Sequence, residues 1–174
     1  MIDLKNAIRS IPDFPINGII FRDITTLMQN PAALREACNR FYDRYKDEKI
    51  DKVVGIDARG FVFGAVLAYL LDVGFIPVRK KGKLPFEAIS EKYSLEYGNA
   101  EIEIHKDAIT KGERVVIIDD LIATGGTVAA AIKLVEALGG EIVECAFVVE
   151  LTDLKGREII KDKKIFTLVE FEGE

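Results

Sequence analysis

The sequence predicts an α/β protein with an open, mainly parallel twisted sheet flanked by helices. Short runs of apolar, β-branched residues alternate along the chain with longer helical patterns, an order typical of parallel strands joined by right-handed crossovers. The 174 residues are 49% hydrophobic and 30% charged. A composition of this kind and a chain of this length suit one domain with a sound core.

The first elements are predicted from turn residues and apolar spacing. Residues 3–9 are expected to form a short helix, and residues 11–18 are expected to be irregular because they include two prolines and a glycine. Asn30 is a candidate N-cap followed by Pro31 at the first helical position. The helix should continue through residues 34–45, where apolar side chains recur at helical spacing.

The remaining elements follow the same alternation. The segment Phe61 to Leu71 is apolar nearly all round, which predicts a buried helix that Gly74 ends. A later helix is expected from Val128 to Leu138, closed by Gly139 and Gly140. Four apolar runs are predicted as strands, namely Val53 to Ile56, Phe75 to Arg79, Val115 to Ile118 and Val143 to Val149.

Residues 80–100 interrupt this alternation. They begin with a basic run, and later mix charged with aromatic residues. Some of them are predicted to pair as a hairpin, with Tyr93 to Leu95 against Ile102 to Ile104. A long excursion after the carboxyl end of a strand lies on the ligand side of the sheet, which favours a functional lid.

Charge and hydropathy exclude several classes of protein. The net charge is −5 with both signs mixed along the chain, which argues against general affinity for nucleic acid or for an anionic membrane. No run approaches the ~18 apolar residues of a membrane span, and the N-terminus lacks the pattern of a secretory signal. A cytoplasmic location is expected. Cys38 and Cys145 stand apart in apolar surroundings, which predicts buried thiols.

The most informative segment runs from Val115 to Thr127. The apolar strand ends in Asp119 and Asp120, and the small-residue loop 123–127 then opens onto a helix. Ligands bind at this edge of an α/β sheet, and such a loop at a helix N-terminus favours phosphate. Because carboxylates would repel a phosphate, they are expected to address ribose hydroxyls, a metal ion, or both. A sugar phosphate with Mg²⁺ meets all these demands.

Two common nucleotide-binding motifs match this segment less well. A phosphate-binding loop of the NTPase kind requires a lysine after its second glycine, and none follows Gly126. A dinucleotide fingerprint should follow the strand directly, whereas two acids and three further residues intervene. An ordinary strand–turn–helix with solvated aspartates is a third possibility. Two charges at the end of an apolar strand are costly without a purpose, which favours a functional site.

The segment 115–127 resembles the phosphoribosyl pyrophosphate (PRPP) motif of the type I phosphoribosyltransferases. Three further segments are similar to the adenine-specific branch of that family, namely residues 21–25 (FRDIT), 57–61 (DARGF) and 79–98, which includes KLP at 83–85 and YSLEYG at 93–98. The resemblance covers nearly the whole chain in the same order. It implies transfer of the phosphoribosyl group of PRPP to adenine, giving AMP and pyrophosphate.

The resemblance also implies an organisation for the chain. The fold would be that of a type I phosphoribosyltransferase, formed by a single domain over residues 1–174. A small hood would comprise about 1–30 and 151–174, and a flexible lid hairpin about 80–100. A homodimer is expected, with residues 79–83 or the Phe61 region near the partner.

For the phosphoribosyl group, the expected contacts come from the motif itself. Asp119 and Asp120 would bind the ribose hydroxyls directly or through Mg²⁺, which is expected to be held mainly by substrate oxygens with no assigned protein ligand. Backbone N–H groups and two threonine hydroxyls would hold the 5-phosphate, from Ala123, Thr124, Gly125, Gly126 and Thr127.

The pyrophosphate site is expected at the turn after the first core strand. Backbone N–H groups of this turn and Arg59 would receive the pyrophosphate. The family also implies a cis peptide between Asp57 and Ala58. Arg79, Lys80 and Lys83 are candidates to complete the site, and Lys83 is favoured because it belongs to the matching KLP segment.

Two lid residues and a pair of apolar residues are assigned to adenine. Glu96 would accept the proton that leaves the purine ring or stabilise the protonated purine, and Tyr97 would pack over the closed site. The base would lie between Phe21 and Leu151. Backbone groups near Ile20 and Arg22 would recognise its polar edge. A 6-oxo purine would leave a buried acceptor unpaired, at a cost of ~1–3 kcal/mol.

Two alternatives differ in function. The first keeps the reaction and changes the base to hypoxanthine, guanine, xanthine or orotate, against which the FRDIT and LEYG segments argue. The second is a PRPP-binding regulator without catalysis. We expect no helix-turn-helix segment before the domain, and the net charge also argues against DNA binding.

Overall fold

The computed structural model describes residues 2–95 and 98–173. The strands are β1 (Arg9–Pro12), β2 (Ile20–Asp23), β3 (Lys52–Ile56), β4 (Gly74–Lys80), β5 (Ala88–Leu95), β6 (Gly98–His105), β7 (Arg114–Ile122), β8 (Glu141–Leu151) and β9 (Ile165–Phe171). The helices are α1 (Thr25–Gln29), α2 (Pro31–Tyr45), α3 (Gly60–Leu71), α4 (Gly126–Ala137) and α5 (Gly156–Ile159), with a 3₁₀ turn at Thr152–Leu154.

Seven strands form the main sheet in the order β5-β6-β4-β3-β7-β8-β9. The five strands from β4 to β9 in this order are parallel, and the hairpin β5–β6 joins them antiparallel at the edge of β4. Strands β1 and β2 form a separate antiparallel ribbon. The predicted fold class is confirmed.

Helices cover both faces of the sheet, which is why β7 is apolar at successive positions. Ile118 packs in the cluster that includes α2 and α3. Its neighbour Ile117 packs in the other cluster, which includes α4. Both side chains are fully buried. The centre of the sheet is therefore held from two sides, and its carboxyl edge is a rigid base for loops.

The N-terminal prediction was wrong. Residues 4–7 form a turn instead of a helix, and β1 takes up Ile11 and Pro12, which were expected to be irregular. Leu4 and Ile8 are nevertheless buried. Thr26 accepts the N–H of Arg9 and donates to the carbonyl of Ala7, and β2 pairs with β1. These long-range bonds satisfy the backbone that a helix would otherwise have satisfied.

The helix predicted after β3 is present, but it is not buried all round. Val62 and Tyr69 are 38% and 83% exposed, because only one side of α3 faces the sheet. The helix ends at Asp72, which has a left-handed φ of 56°, and not at Gly74, which begins β4. The N–H of Asp72 bonds to carbonyls of the last turn, which ends the helix before the glycine.

The hairpin is confirmed, with a different register. Tyr93 pairs with Ala100, and not with residues 102–104. The pairing continues to Ala88 and His105, and β6 also pairs with β4 through Arg79 and Glu103. The register is therefore fixed along the whole β5–β6 hairpin. Matching apolar residues within the hairpin sequence could not show this register.

The two central strands are longer than predicted, and β9 was missed. Strand β7 runs to Ile122, so Asp119 and Asp120 lie within it. The reason is that β8 continues to Leu151 and pairs with the end of β7. Strand β9 in turn pairs with β8. A parallel neighbour extends a strand beyond its apolar run by supplying backbone partners.

The two cysteines are buried and free, as predicted. Burial raises the pKa of Cys38 to about 11 and that of Cys145 to about 12, so both are thiols at neutral pH. Within the part of the chain that the structure describes, no helix combines the length and the apolar character that crossing a membrane requires.

The predicted cap of α2 is present and can be tested. The Asn30 side chain accepts the N–H groups of Ala32 and Ala33 at 3.0 and 3.2 Å. Asn30→Ala should lower the free energy of unfolding by about 1 kcal/mol, as measured by urea denaturation. The control Asn39→Ala changes an exposed residue inside the same helix, where alanine should leave stability equal or slightly higher. Equal losses in both variants would contradict the capping role.

Candidate active site

A cavity of about 430 Å³ opens at the carboxyl ends of β3 and β7. Its walls come from the turn that begins α3 and from the loop that begins α4. Lys80 of β4 and Tyr93 of β5 add a basic and an aromatic side chain. The lining residues are Ile56, Asp57, Ala58, Arg59, Lys80, Tyr93, residues 119–128 and Phe147.

The floor of the cavity holds two carboxylates and a guanidinium. Asp120 is 6% exposed and accepts a charge-assisted hydrogen bond from the Nε–H of Arg59. Its own backbone N–H donates to Asp119 Oδ1 at 2.8 Å. Gly60 allows the start of α3 to lie this close to β7, because a Cβ on residue 60 would be only 2.8 Å from Asp119 Oδ1. Helix α3 therefore begins in contact with β7.

Burial and neighbouring charges shift the pKa values of Asp119 and Arg59. Desolvation raises the pKa of Asp119 well above the ordinary value of an aspartate, and the adjacent charge of Asp120 raises it further. Desolvation opposes the charge on Arg59, but Asp120 and Asp119 outweigh it, so the pKa of Arg59 is raised. A hydroxyl donor or a cation bound here would relieve the repulsion between the two carboxylates.

The loop after β7 is shaped to receive an anion. Gly125 has φ of 84°, a conformation that favours glycine, and it directly precedes α4. Since the N-cap is a glycine, it offers no side chain to the first turn of this 12-residue helix. Backbone N–H groups of the first turn have no carbonyl partner within the helix. They are available to a phosphate, and the helix dipole favours its charge.

Gly156 supports this loop from behind, and sequence reasoning missed it. A Cβ on Gly156 would lie 2.3 Å from the carbonyl oxygen of Ala123 and 3.1 Å from the backbone nitrogen of Gly125. The two chain segments therefore touch backbone to backbone. The only sequence signal was a glycine after a polar stretch, which predicts a turn but not its contact.

The structure places the candidate lysines of the predicted pyrophosphate site differently with respect to the cavity. The peptide bond between Asp57 and Ala58 is cis, as the family resemblance implied. Lys80 lines the cavity, whereas Lys83 is not among the lining residues. The backbone N–H groups of Lys83 and Leu84 instead donate to the buried Glu103 at 3.1 and 2.9 Å.

Arg79 supports the turn at 57–60 from outside the cavity lining, and Tyr93 lies in the cavity wall beside Gly126. Arg79 donates to Asp57 at 3.1 Å and so braces the turn that carries Arg59. Tyr93, which had been assigned only to the hairpin, also lines the cavity. The alternation of side chains along β5 could have placed it on the cavity side, had the register been known.

Of the residues assigned to adenine, Phe21, Arg22 and Leu151 are not among those that line this cavity. Phe21 contacts Phe14 edge to face, with ring centroids 5.3 Å apart. The Arg22 side chain is turned to the C-terminal segment, where its guanidinium lies 4.2 Å from the Phe171 ring centroid. Leu151 ends β8. Glu96 and Tyr97 lie outside the described residues.

Carboxylate and hydroxyl oxygens at this cavity suit a hard cation. Asp119 and Asp120 supply such oxygens, and Thr124 and Thr127 line the same space. Among the described residues, no group of three or more His, Cys, Asp or Glu side chains is placed to hold a metal ion.

Comparison with known proteins places this arrangement in a family. The phosphoribosyl transferase domain matches residues 23–174. An adenine phosphoribosyltransferase from Desulfosudis oleivorans is 69% identical over 173 residues, which are 99% of this chain and 100% of the relative. The chain belongs to the adenine phosphoribosyltransferase family.

Solved structures of the family have the same fold. The adenine phosphoribosyltransferase of Thermoanaerobacter pseudethanolicus has a TM-score of 0.92 at 49% identity, covering 97% of this chain and 98% of that chain. The Saccharomyces cerevisiae enzyme has a TM-score of 0.90 at 44% identity, covering 95% and 96%. It was solved with an imino-altritol bisphosphate and adenine.

The contact between Gly156 and the loop at residues 123–125 should affect how an adenine phosphoribosyltransferase binds PRPP. Gly156→Ala should displace the loop and raise the KM for PRPP by about tenfold, since the added methyl has no room beside Ala123. Steady-state kinetics with saturating adenine measures this change.

A second glycine serves as the control for this variant. Gly74→Ala would meet only the flexible Lys52 side chain, at 3.1 Å or more, and should leave the KM for PRPP unchanged. An unchanged KM in Gly156→Ala as well would show that the loop does not depend on this contact.

Proposed function

We propose that this chain transfers the phosphoribosyl group of PRPP to adenine, giving AMP and pyrophosphate, in purine salvage. The observation that carries the proposal is the pair Asp119–Asp120 near the carboxyl end of β7, followed by a loop of small residues at the N-terminus of α4. The identity to an adenine phosphoribosyltransferase over 99% of the chain supports the choice of reaction.

The phosphoribosyl group lies across the floor of the cavity in this proposal. Backbone N–H groups of residues 123–127 bind the 5-phosphate, and the hydroxyls of Thr124 and Thr127 add two donors. Asp119 and Asp120 accept hydrogen bonds from the ribose hydroxyls, which relieves the repulsion between their carboxylates. The sugar is thereby oriented by two groups on one rigid strand.

The pyrophosphate lies toward the turn at residues 57–60. Arg59 and the turn N–H groups bind it, and Lys80 is close enough to the cavity to contribute, while Lys83 stays a candidate through the KLP resemblance. Mg²⁺ bound mainly through PRPP oxygens, next to Asp119 and Asp120, would offset negative charge on the leaving pyrophosphate.

The reaction breaks the bond between C1 of the ribose and a pyrophosphate oxygen, and forms a bond from C1 to N9 of adenine. The electron pair of the broken bond leaves with pyrophosphate, and the proton of the purine ring must leave as well. Glu96 accepts that proton or stabilises the protonated purine. The lid, about 80–100, with Tyr97, excludes water that would hydrolyse the activated sugar.

Adenine is bound by the hood, about 1–30 and 151–174. Its faces contact Phe21 and Leu151, and backbone groups near Arg22 recognise its 6-amino edge. The backbone is assigned this role because the Arg22 side chain is already bonded to Ser10 and Gly173. A 6-oxo purine would present a lone pair to a backbone acceptor, which disfavours hypoxanthine and guanine.

The cellular setting is part of the same proposal. The enzyme acts in the cytoplasm, without nucleic-acid or membrane partners. It acts as a homodimer, which the exposed apolar side chains of Val62 and Tyr69 on α3 support.

The test of this function is an assay with PRPP, Mg²⁺ and a panel of bases, comprising adenine, hypoxanthine, guanine, xanthine and orotate. Chromatography should detect AMP from adenine and no nucleotide from the other bases. A nucleotide from another base would overturn the assignment of the hood. PRPP binding without any product would favour a regulator.

Asp120→Asn tests the role of the floor. We expect kcat to fall by about 100-fold, because the neutral amide loses the charge that orients ribose and Arg59. Circular dichroism should show a folded protein. Asp43→Asn, at an exposed surface ion pair with Lys46, is the matched control and should keep full activity. Near-normal turnover of Asp120→Asn would remove Asp120 from the mechanism.

Glu96→Gln tests the acid–base role. The expected result is a loss of about 100-fold or more in kcat, with little change in PRPP affinity, because glutamine keeps the size but cannot take up a proton. Glu87→Gln, an exposed residue paired with Lys106, is the control in the same excursion. If kcat were equal in both variants, Glu96 would be a lid residue without a chemical role.

A further inference from the structure

The C-terminal residues Phe171–Gly173, here called the C-terminal strap, are bound to the wall that contains Leu151. Phe171 is the register partner of Leu151 in the β8–β9 pair. The Thr152 hydroxyl donates to the Phe171 carbonyl at 3.2 Å, and the N–H of Gly173 donates to the Asp153 carboxylate. The strap is therefore fixed to the segment that follows β8.

The β1–β2 ribbon, which belongs to the proposed hood, binds the same strap through Arg22. The Arg22 guanidinium lies 4.2 Å from the centroid of the Phe171 ring and donates to the Gly173 carbonyl at 3.2 Å. It also donates to the Ser10 hydroxyl on the partner strand at 2.6 Å. Lys5 adds a second cation, 4.9 Å from the same ring. Three of these contacts thus join the strap to the ribbon and to the N-terminal turn, and the fourth holds Arg22 within the ribbon.

Arg22 follows Phe21 in β2, so the two side chains lie on opposite faces of the strand. Successive side chains of a strand point to opposite faces. An Arg22 side chain held on the strap therefore fixes the direction of Phe21 on the other face. Leu151 is held from its own side by the pairing with Phe171. The strap therefore contacts both elements that carry the proposed walls of the adenine site, the strand with Phe21 and the strand with Leu151.

We propose that the C-terminal strap sets the spacing between Phe21 and Leu151, and that Arg22 and Asp153 are positioning residues for adenine. This inference rests on the proposed function. A flat base held between two side chains depends on contact at both faces, and a gap of ~0.5–1 Å forfeits a quarter to a half of the dispersion energy. PRPP binds on other loops, so its affinity should not depend on the strap.

The first variant is Arg22→Met, which keeps the side chain long and removes its donors and its charge. We expect the KM for adenine to rise about tenfold and the KM for PRPP to stay within about twofold of the wild type. The matched control is Arg9→Met in the same ribbon, which removes an ion pair with Asp23 at 2.8 Å. It should leave both KM values unchanged.

A double-mutant cycle separates positioning from loss of fold. Asp153→Asn weakens the strap from the other side and should raise the KM for adenine in the same direction. Because either change releases the same segment, the double variant should be no worse than the more affected single variant. Additive effects, or an equal rise in both KM values with a lower Tm, would overturn the proposal.

An unchanged adenine KM in Arg22→Met would also overturn it. The outcome is independent of the reaction assignment, since adenine affinity is read separately by isothermal titration. If the wild type forms no AMP, the proposed function fails. In that case a weaker adenine Kd in Arg22→Met than in Arg9→Met supports the strap, and equal Kd values reject it.

Discussion

The contact between the start of α3 and strand β7 is the constraint on which the site depends. Gly60 has no room for a side chain against Asp119, so the turn before it brings Arg59 to the buried Asp120. This ion pair joins two neighbouring parallel strands at their carboxyl ends. It also partly neutralises a carboxylate pair that would otherwise repel an anionic substrate.

The segment after β8 contacts both the loop that follows β7 and the C-terminal strap. Gly156 lies against the backbone of the phosphate loop, and Asp153 holds the C-terminal strap. Only two residues separate these contacts along the chain. The strap and the loop at 123–125 are nevertheless held by separate groups, Asp153 in the 3₁₀ turn and Gly156 at the start of α5.

The β5–β6 hairpin supports the side of the cavity that Lys80 lines. Strand β6 pairs with β4 next to Lys80, and Glu103 of β6 binds the backbone of the Lys83 loop. Glu91 of β5 meets Lys133 of α4 at 2.7 Å. The proposed lid is thus continuous with β4, which supplies Lys80 to the cavity, and it is also joined to α4, whose N-terminus is the proposed phosphate site.

The sequence by itself determined the features with local causes. These are the alternation of strands and helices, the Asn30 cap, and the Asp119–Asp120 pair with its loop, because each is encoded within a few consecutive residues. Tertiary structure alone decided the β1–β2 pairing in place of a helix, the hairpin register, and the contact of Gly156. Each of these depends on residues distant in sequence, whose backbone pairing and close packing outweigh local preference.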